Sequence, residues 1–267
     1  MNVIKKKIIT KHYFQKKLAI KFFNEQYFDY LRLLKTAILF KIGAQYEHSH
    51  FLARIIKPGN IIFDIGSNIG QYTCRFNLWV GEKGRVYSFE PVSENFYFLQ
   101  SMVNFLRLKN VDTFQCGISD IEGKAVILIP KMKDTNIIIG TRASITYKID
   151  EFENAELKKQ KITLNSIDNL AELFKLKSLD LIKSDTEGYD DKVISGGIKT
   201  ITTFRPYILL EINIDNKGLV PLMDLGYCPY YVDRGFLITA DKRNSNYQNI
   251  FLAHQDKLNN IQKYIIS

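Results

Sequence analysis

The apolar positions of this chain change period along its length, and the changes mark its elements. Residues 61–63, Ile-Ile-Phe, form an apolar run that stops at Asp64 and passes through Gly66 and Gly70 into a stretch, 71–80, spaced for a helix. That pattern predicts a short buried strand, a tight turn, and a helix closed by Gly81 and Gly84. Residues 85–90, Arg-Val-Tyr-Ser-Phe-Glu, read as a second strand, Ser93 is placed to cap a helix running through Arg107, and 111–118 reads as a third strand. Strand and helix in alternation predict an α/β fold built on a parallel, doubly wound sheet.

An extended run at 123–130 fits a hairpin strand. Residues 131–160 break the rhythm with a polar, charged stretch, expected as a substrate-side insertion at the carboxyl edge of the sheet or as a surface excursion. The pattern resumes with an extended segment at 161–168 and a short helix at 167–174. A nearly continuous apolar strand at 179–185, a helix through Phe204 and a buried strand at 207–212 ending near Glu211 come next. Further strand candidates lie at 229–233 and 249–253, leaving 256–267 as a C-terminal tail to a main domain over 58–255.

Before that domain, residues 1–57 carry Phe14, Leu18 and Phe22, then Tyr27, Leu31, Leu34 and Ile38, at helical spacing, which predicts a helical N-terminal extension. Charge separates this arm from the rest. Residues 1–50 hold ten Lys/Arg against three Asp/Glu, so most of the net charge of +9 belongs there. Two readings fit: helices packed on the main domain with a solvated lysine face, or a basic amphipathic helix resting on an anionic membrane surface, nucleic acid or acidic glycan. A hydrophobic fraction of 46% with 24% charged residues is that of an ordinary soluble protein. Cys74, Cys116 and Cys228 are scattered and odd in number, so neither a disulfide framework nor a cysteine metal site is expected. With no run of about 18 apolar residues and lysines throughout the first 30 positions, the expected location is cytoplasmic, at most peripheral to a membrane.

Glycines between a strand and a helix let backbone come close to a ligand, and the first N–H groups of the helix point into the turn. Glu90 ends the second strand, where a carboxylate accepts hydrogen bonds from ribose hydroxyls because successive strand ends line one crevice. The turn, Gly66-Ser67-Asn68-Ile69-Gly70, lacks the middle and third glycines of the dinucleotide fingerprint. The ligand expected therefore carries a ribose and no pyrophosphate. A second cluster is Lys183-Ser184-Asp185-Thr186-Glu187-Gly188-Tyr189. Lys183 and Asp185 share a strand side, and Glu187 follows just past the strand end, where Gly188 permits a sharp turn. One of these carboxylates could take a proton from a substrate hydroxyl, or the group could be an ion pair closing the strand and capping a helix that starts near Asp190. His48 and His50 lack companion ligands, and Ser144 and Ser195 sit in no nucleophile-elbow pattern.

Taken in order, these segments resemble the FkbM-type family of S-adenosylmethionine-dependent methyltransferases. The likeness rests on residues 63–73 (Phe-Asp-Ile-Gly-Ser-Asn-Ile-Gly-Gln-Tyr-Thr), on Phe89-Glu90-Pro91, on Ile118-Ser119-Asp120 with Gly123, on 182–189, and on the strand at 206–211. It implies a Rossmann-like class I methyltransferase sheet with S-adenosyl-L-methionine as cofactor. It also implies that Asp64, Gly66, Asn68 and Gly70 surround the methionine end, that Glu90 holds the ribose, and that the loop with Gly117, Ser119 and Asp120 lies by the adenine. Asp185 and Glu187, beside Lys183, would face the methyl group and the acceptor. Ser67 stands where the family often has alanine, and Ser184 and Thr186 replace apolar residues, changes that bear on the acceptor pocket.

The expected reaction is O-methylation of a hydroxyl on a sugar, surface glycan or secondary metabolite, without a metal. Three alternatives stand beside it. An NAD-type oxidoreductase shares the strand, turn and ribose carboxylate; an RNA methyltransferase would use the lysine-rich arm, although no nucleic-acid-binding module is evident; a non-catalytic glycan- or membrane-associated protein would keep only the fold. Oligomeric state is not encoded in any pattern seen here.

Overall fold

The computed structural model describes residues 48–132, 155–240 and 249–266, together with Lys35 and Ile38. Of the expected helical arm only those last two positions and 48–57 are among them, and 133–154 of the expected insertion lies outside them. The described chain opens on α1, Ser49–Ile55, then alternates β1, Ile61–Ile65, with α2, Gln71–Val80, β2, Arg85–Phe89, with α3, Ser93–Phe105, and reaches β3, Val111–Phe114. β4, Gly117–Ile118, β5, Gly123–Met132, and β6, Ala155–Asn165, come next, followed by α4, Ile167–Leu173, β7, Leu181–Ser184, α5, Asp190–Ser195, α6, Ile198–Phe204, and β8, Tyr207–Leu210. The remainder is α7, Val220–Asp224, β9, Tyr227–Asp233, β10, Phe236–Thr239, β11, Ile250–His254, α8, Leu258–Ile261, and β12, Ile265–Ile266.

Nine of the described strands form one sheet in the order β12-β10-β9-β11-β8-β7-β1-β2-β3. The five from β8 to β3 are parallel, and β11 enters antiparallel beside β8. The connections leave β1 in opposite directions, towards β2 and β3 on one side and towards β7 and β8 on the other. That makes the carboxyl ends of β1 and β7 the switch point at which a doubly wound sheet opens a crevice.

Period-2 alternation gives the sheet two apolar faces. Phe63, Ile65, Phe89, Ile182, Ile208 and Leu210 pack against Ile167, Leu170, Val193 and Ile201 of α4, α5 and α6. Ile62, Val86, Leu181, Leu209 and Phe251 face Phe51 and Leu52 of α1, Phe76 and Val80 of α2, and Ile261 of α8. The alternation that buries Ile62 and Leu181 towards α2 also sends Asp64 and Lys183 to that side, and their positions are paired across β1 and β7. Arg54 of α1 donates to Gly235 O at 2.9 Å and lies over the Phe236 and Tyr264 rings, tying α1 to the far edge of the sheet.

Four expectations change. The third strand ends at Phe114, and Gly117–Ile118 joins a separate three-stranded sheet, β4-β6-β5, because Ser119 N continues that pairing by donating to Asn165 O. β5 and β6 form an antiparallel ribbon from Gly123↔Leu164 to Met132↔Ala155, so residues 155–160 are strand where an irregular insertion was expected. Ser93 makes no cap hydrogen bond; Val92 holds the N-cap position, and Ser93 Oγ accepts from Gln115 Nε2 instead. The helix through Phe204 is two helices broken at Gly196-Gly197, where a Cβ on Gly196 would lie 1.9 Å from Ser119 O. β10 and β12 were not expected at all. No described helix is long and apolar enough to cross a membrane.

Candidate functional site

The turn after β1 is built largely from main chain. Gly66 and Ser67 N both donate to Phe89 O at 3.0 Å, and Asn68 N donates to Glu90 Oε2 at 2.9 Å. Gly66, at φ +69°, passes so close to β7 that a Cβ would sit 2.0 Å from Asp185 O, which only glycine allows. Asp64 is fully buried; Thr73 Oγ1 donates to its Oδ2 at 2.6 Å and lies 3.1 Å from Ser88 Oγ. Asp64 Oδ1 and Asn68 Oδ1 are buried without a hydrogen-bond partner. Helix α2 starts at Gly70 with no side-chain cap and no acid in its first turn, which leaves its positive end facing the turn.

Glu90 follows β2 and is buried. Its Oε2 accepts from Asn68 N, and its Oε1 accepts from Val92 N at 2.9 Å and Asn95 Nδ2 at 3.3 Å. Burial pushes its carboxyl up to about 7 in spite of these donors. A carboxylate has about four lone-pair positions, so room for one further donor remains.

Lys183 joins the two halves of the crevice. Its Nζ lies 3.4 Å from Gly66 O, 3.4 Å from Asp185 Oδ2, 3.8 Å from Asp64 Oδ1 and 5.4 Å from the centre of the Tyr72 ring. Burial alone would lower its pKa, but Asp185 and Asp64 outweigh it and hold the ammonium above its usual range. Asp64 shifts upward through burial, with Lys183 and Thr73 opposing. Lys183, one of the catalytic candidates, is itself buried and sits between the two carboxylates. On the other face of β7, Ser184 Oγ donates to buried Asp190, whose carboxyl burial raises to about 6.

Past β7 the side chains open outward. Asp185 is 40% exposed at its side chain, and Glu187 adopts φ +52° immediately before Gly188 at φ +92°. Glu211, the residue after β8, completes a trio with Asp185 and Glu187 in which one carboxylate oxygen of each lies within 4.8 Å of the others. It is the only grouping among the described residues close enough to share a metal ion. Glu211 is absent from the residues expected at the site, although it lies at the end of a buried strand just as Asp64, Glu90 and Asp185 do.

The glycine turn after β1, Glu90 after β2 and the carboxylates at the ends of β7 and β8 thus lie along one edge of the sheet. The Methyltransferase FkbM domain family matches residues 64–224. The chain belongs to the FkbM methyltransferase family. It is similar to 2-O-methyltransferase NoeI of Sinorhizobium fredii (strain NBRC 101917 / NGR234), 26% identical over 182 residues, covering 66% of this chain and 73% of that protein. Among solved structures it is similar to a methyltransferase FkbM from Methylobacillus flagellatus KT, at 14% identity and a TM-score of 0.45, covering 74% of this chain and 44% of that one. A SAM-dependent O-methyltransferase from Thermotoga maritima matches at 15% identity and a TM-score of 0.41, covering 77% of this chain and 64% of that one. The chain thus spans less than half of the Methylobacillus structure.

As an FkbM methyltransferase the chain uses S-adenosyl-L-methionine, and its sheet is Rossmann-like. The NAD-type alternative is set aside by the family. The residues present suit the cofactor: an uncapped helix end for a carboxylate, orphaned buried oxygens at Asp64 and Asn68 for donors, and an acceptor position on Glu90 for a hydroxyl. Gly117, Ser119 and Asp120 are placed differently from one another. Gly117 is buried with Leu164, Ile162 and Pro91 around its Cβ position. Ser119 is fully buried, donates to Asp120 Oδ1, and lies 3.5 Å from Tyr189 Oη. Asp120 pairs with Lys192 of α5 at 2.8 Å, which holds its carboxyl below the usual range. Thr73, Ser88 and Asn95 belong to the same networks, and no spacing in the sequence marks Ser88 or Asn95.

Proposed function

We propose that this chain is an O-methyltransferase whose acceptor is a hydroxyl of a sugar, a glycan or a sugar-like secondary metabolite. The observation that carries the reading is the contact of Gly66 with Asp185, which sets the carboxylates of Asp185, Glu187 and Glu211 against the cofactor turn. A hydroxyl is a poor nucleophile until its proton leaves, and a carboxylate at the strand end is positioned to accept it. The 2-O-methyltransferase named among the relatives agrees with an oxygen acceptor.

When bound, S-adenosyl-L-methionine supplies an electrophilic methyl group on a sulfonium. In this reading Asp64, Gly66, Asn68 and Gly70 hold its amino-acid end and Glu90 its ribose, with Gly117, Ser119 and Asp120 beside the base. Lys183 lies between Asp64 and Asp185, 3.8 Å and 3.4 Å from their carboxylates, and holds the two strand ends together. Glu187, past the strand end beside Gly188, takes the acceptor proton, while Asp185 is paired with Lys183 at 3.4 Å. Asp185 orients the hydroxyl for in-line attack. The unit expected over 58–255 extends on both sides in this reading, since Phe51 and Leu52 of α1 and Ile261 of α8 pack in its core and β12 joins its sheet.

Transfer of labelled methyl from S-adenosyl-L-methionine to a panel of sugars, glycans, amines and RNA tests the acceptor class. Transfer to hydroxyls supports the reading; transfer only to nitrogen or RNA overturns it. Glu187→Gln should lower turnover by about 10²–10⁴-fold while leaving affinity for S-adenosylhomocysteine nearly unchanged. Full turnover in that variant removes Glu187 from the chemistry.

A further inference from the structure

The β5–β6 ribbon has two unlike faces. One buries Ile127, Ile129, Ile162 and Leu164 around Val92, two residues past Glu90. The opposite face is set by register: Val126 stands across from Lys161, and Leu128 across from Lys159, with Lys124 on the same side and Leu157 beyond them. Lys124, Lys159 and Lys161 are exposed, and Val126 is 43% exposed. None of the three lysines has a carboxylate partner among the described residues, whereas Lys131 on the inner face pairs with Glu156. No acidic residue occupies the outer face between Lys124 and Leu157.

We propose that this face docks on an anionic lipid surface. Lysines alternating with aliphatic side chains match a headgroup layer, where ammonium groups meet phosphates and the alkyl parts enter the interface. A second copy of the chain does not fit, because isologous pairing sets like charges against each other. Nucleic acid fits less well, since the face offers no aromatic ring for an unpaired base and a duplex backbone offers nothing apolar to meet Val126 and Leu128. The ribbon is fixed to the site end of the sheet: Gln160 Nε2 donates to Pro91 O at 2.8 Å, and Gln160 Oε1 accepts from Ser93 N at 3.1 Å. Docking would therefore hold the Glu90 edge in a set relation to the membrane.

The test is co-sedimentation of the full chain with vesicles of phosphatidylcholine alone or mixed with phosphatidylglycerol, at low and high salt. Binding should require phosphatidylglycerol and weaken with salt. Lys124→Glu/Lys159→Glu/Lys161→Glu should weaken it by on the order of a hundredfold, with Lys→Gln at the same positions as the milder control for folding. Val126→Ser should weaken vesicle binding about fivefold and leave heparin binding unchanged. Wild-type vesicle binding by folded triple variants overturns the proposal, as the basic arm would then account for it. Equal loss on heparin and vesicles, with no effect of Val126→Ser, also overturns it, in favour of a soluble polyanion. Vesicle binding is read without methyl transfer, so its outcome is independent of the acceptor.

Discussion

The turns after β1 and β7 touch through their backbones and are built in opposite ways. The first is closed: Gly66 and Ser67 N donate to Phe89 O, Asn68 N to Glu90 and Gly70 N to Ser67 O, and Asp64 beneath it is fully buried. The second is open, with the side chains of Asp185, Glu187 and Glu211 all partly exposed and grouped together. A ligand of fixed shape, the same in every turnover, suits a turn made of main chain. The proposed acceptor, which would have to enter and leave in each turnover, suits the other. Lys183 stands between them and balances one carboxylate from each side.

Removing that shared charge should have the largest effect on the contrast. Lys183→Met leaves Asp64 buried beside no cation, and loss of one partner of a buried pair costs about 3–5 kcal/mol, readable by denaturant unfolding. Adding Asp64→Asn should recover much of it; no recovery would mean that Lys183 supports the fold through packing alone.

The closed turn should also be the pH-sensitive one. Glu90 keeps its proton to about pH 7 when folded, whereas a free glutamate loses it near 4.5. The ligand-free protein therefore loses stability as pH rises across that window. A ribose hydroxyl favours the ionised carboxylate, so affinity for S-adenosylhomocysteine should rise with pH up to about 7, by at most about tenfold per unit, and level off above. Calorimetric titration from acid to mildly alkaline pH would show this, and Glu90→Gln should flatten the profile. A flat wild-type profile would separate Glu90 from the ligand.

The smallest effect tests the open turn. Glu187 is held at φ +52°, a conformation that costs a side-chain-bearing residue about 1 kcal/mol, and such strain gathers at working sites. Glu187→Gly should raise the unfolding midpoint slightly while abolishing turnover. A drop in stability would mean that the Glu187 side chain is structural.

Much of this was legible in the chain because the strands of a doubly wound sheet end where their chemistry begins. Asp64, Glu90, Asp185 and the α2 span were marked by an apolar run meeting a carboxylate or a glycine. What stayed hidden depends on pairing between distant segments. Residues 155–160 carry Lys158 and Lys159 and show no apolar alternation of their own; they are a strand because β5 lies across from them. Gly196-Gly197 was visible, yet its effect as a helix break follows from Ser119 O lying against it. The burial of Lys183 likewise comes from β1 sitting beside β7, which the residues around Lys183 do not disclose.

That last pairing bears on how the molecule comes together. Gly66 and Lys183 are 117 residues apart in the chain, and Ile61 N reaches Asp180 across 119. At a synthesis rate of roughly 5–20 residues per second, β1 would wait about 6–24 seconds before β7 is made. During that interval Ile62 and Phe63 would border an unpaired strand edge, the kind of surface that recruits chaperones or other chains. The two turns cannot meet until β7 is made, and Glu211 joins them only after β8, so a nascent chain halted short of β7 holds the β1 turn and Glu90 alone.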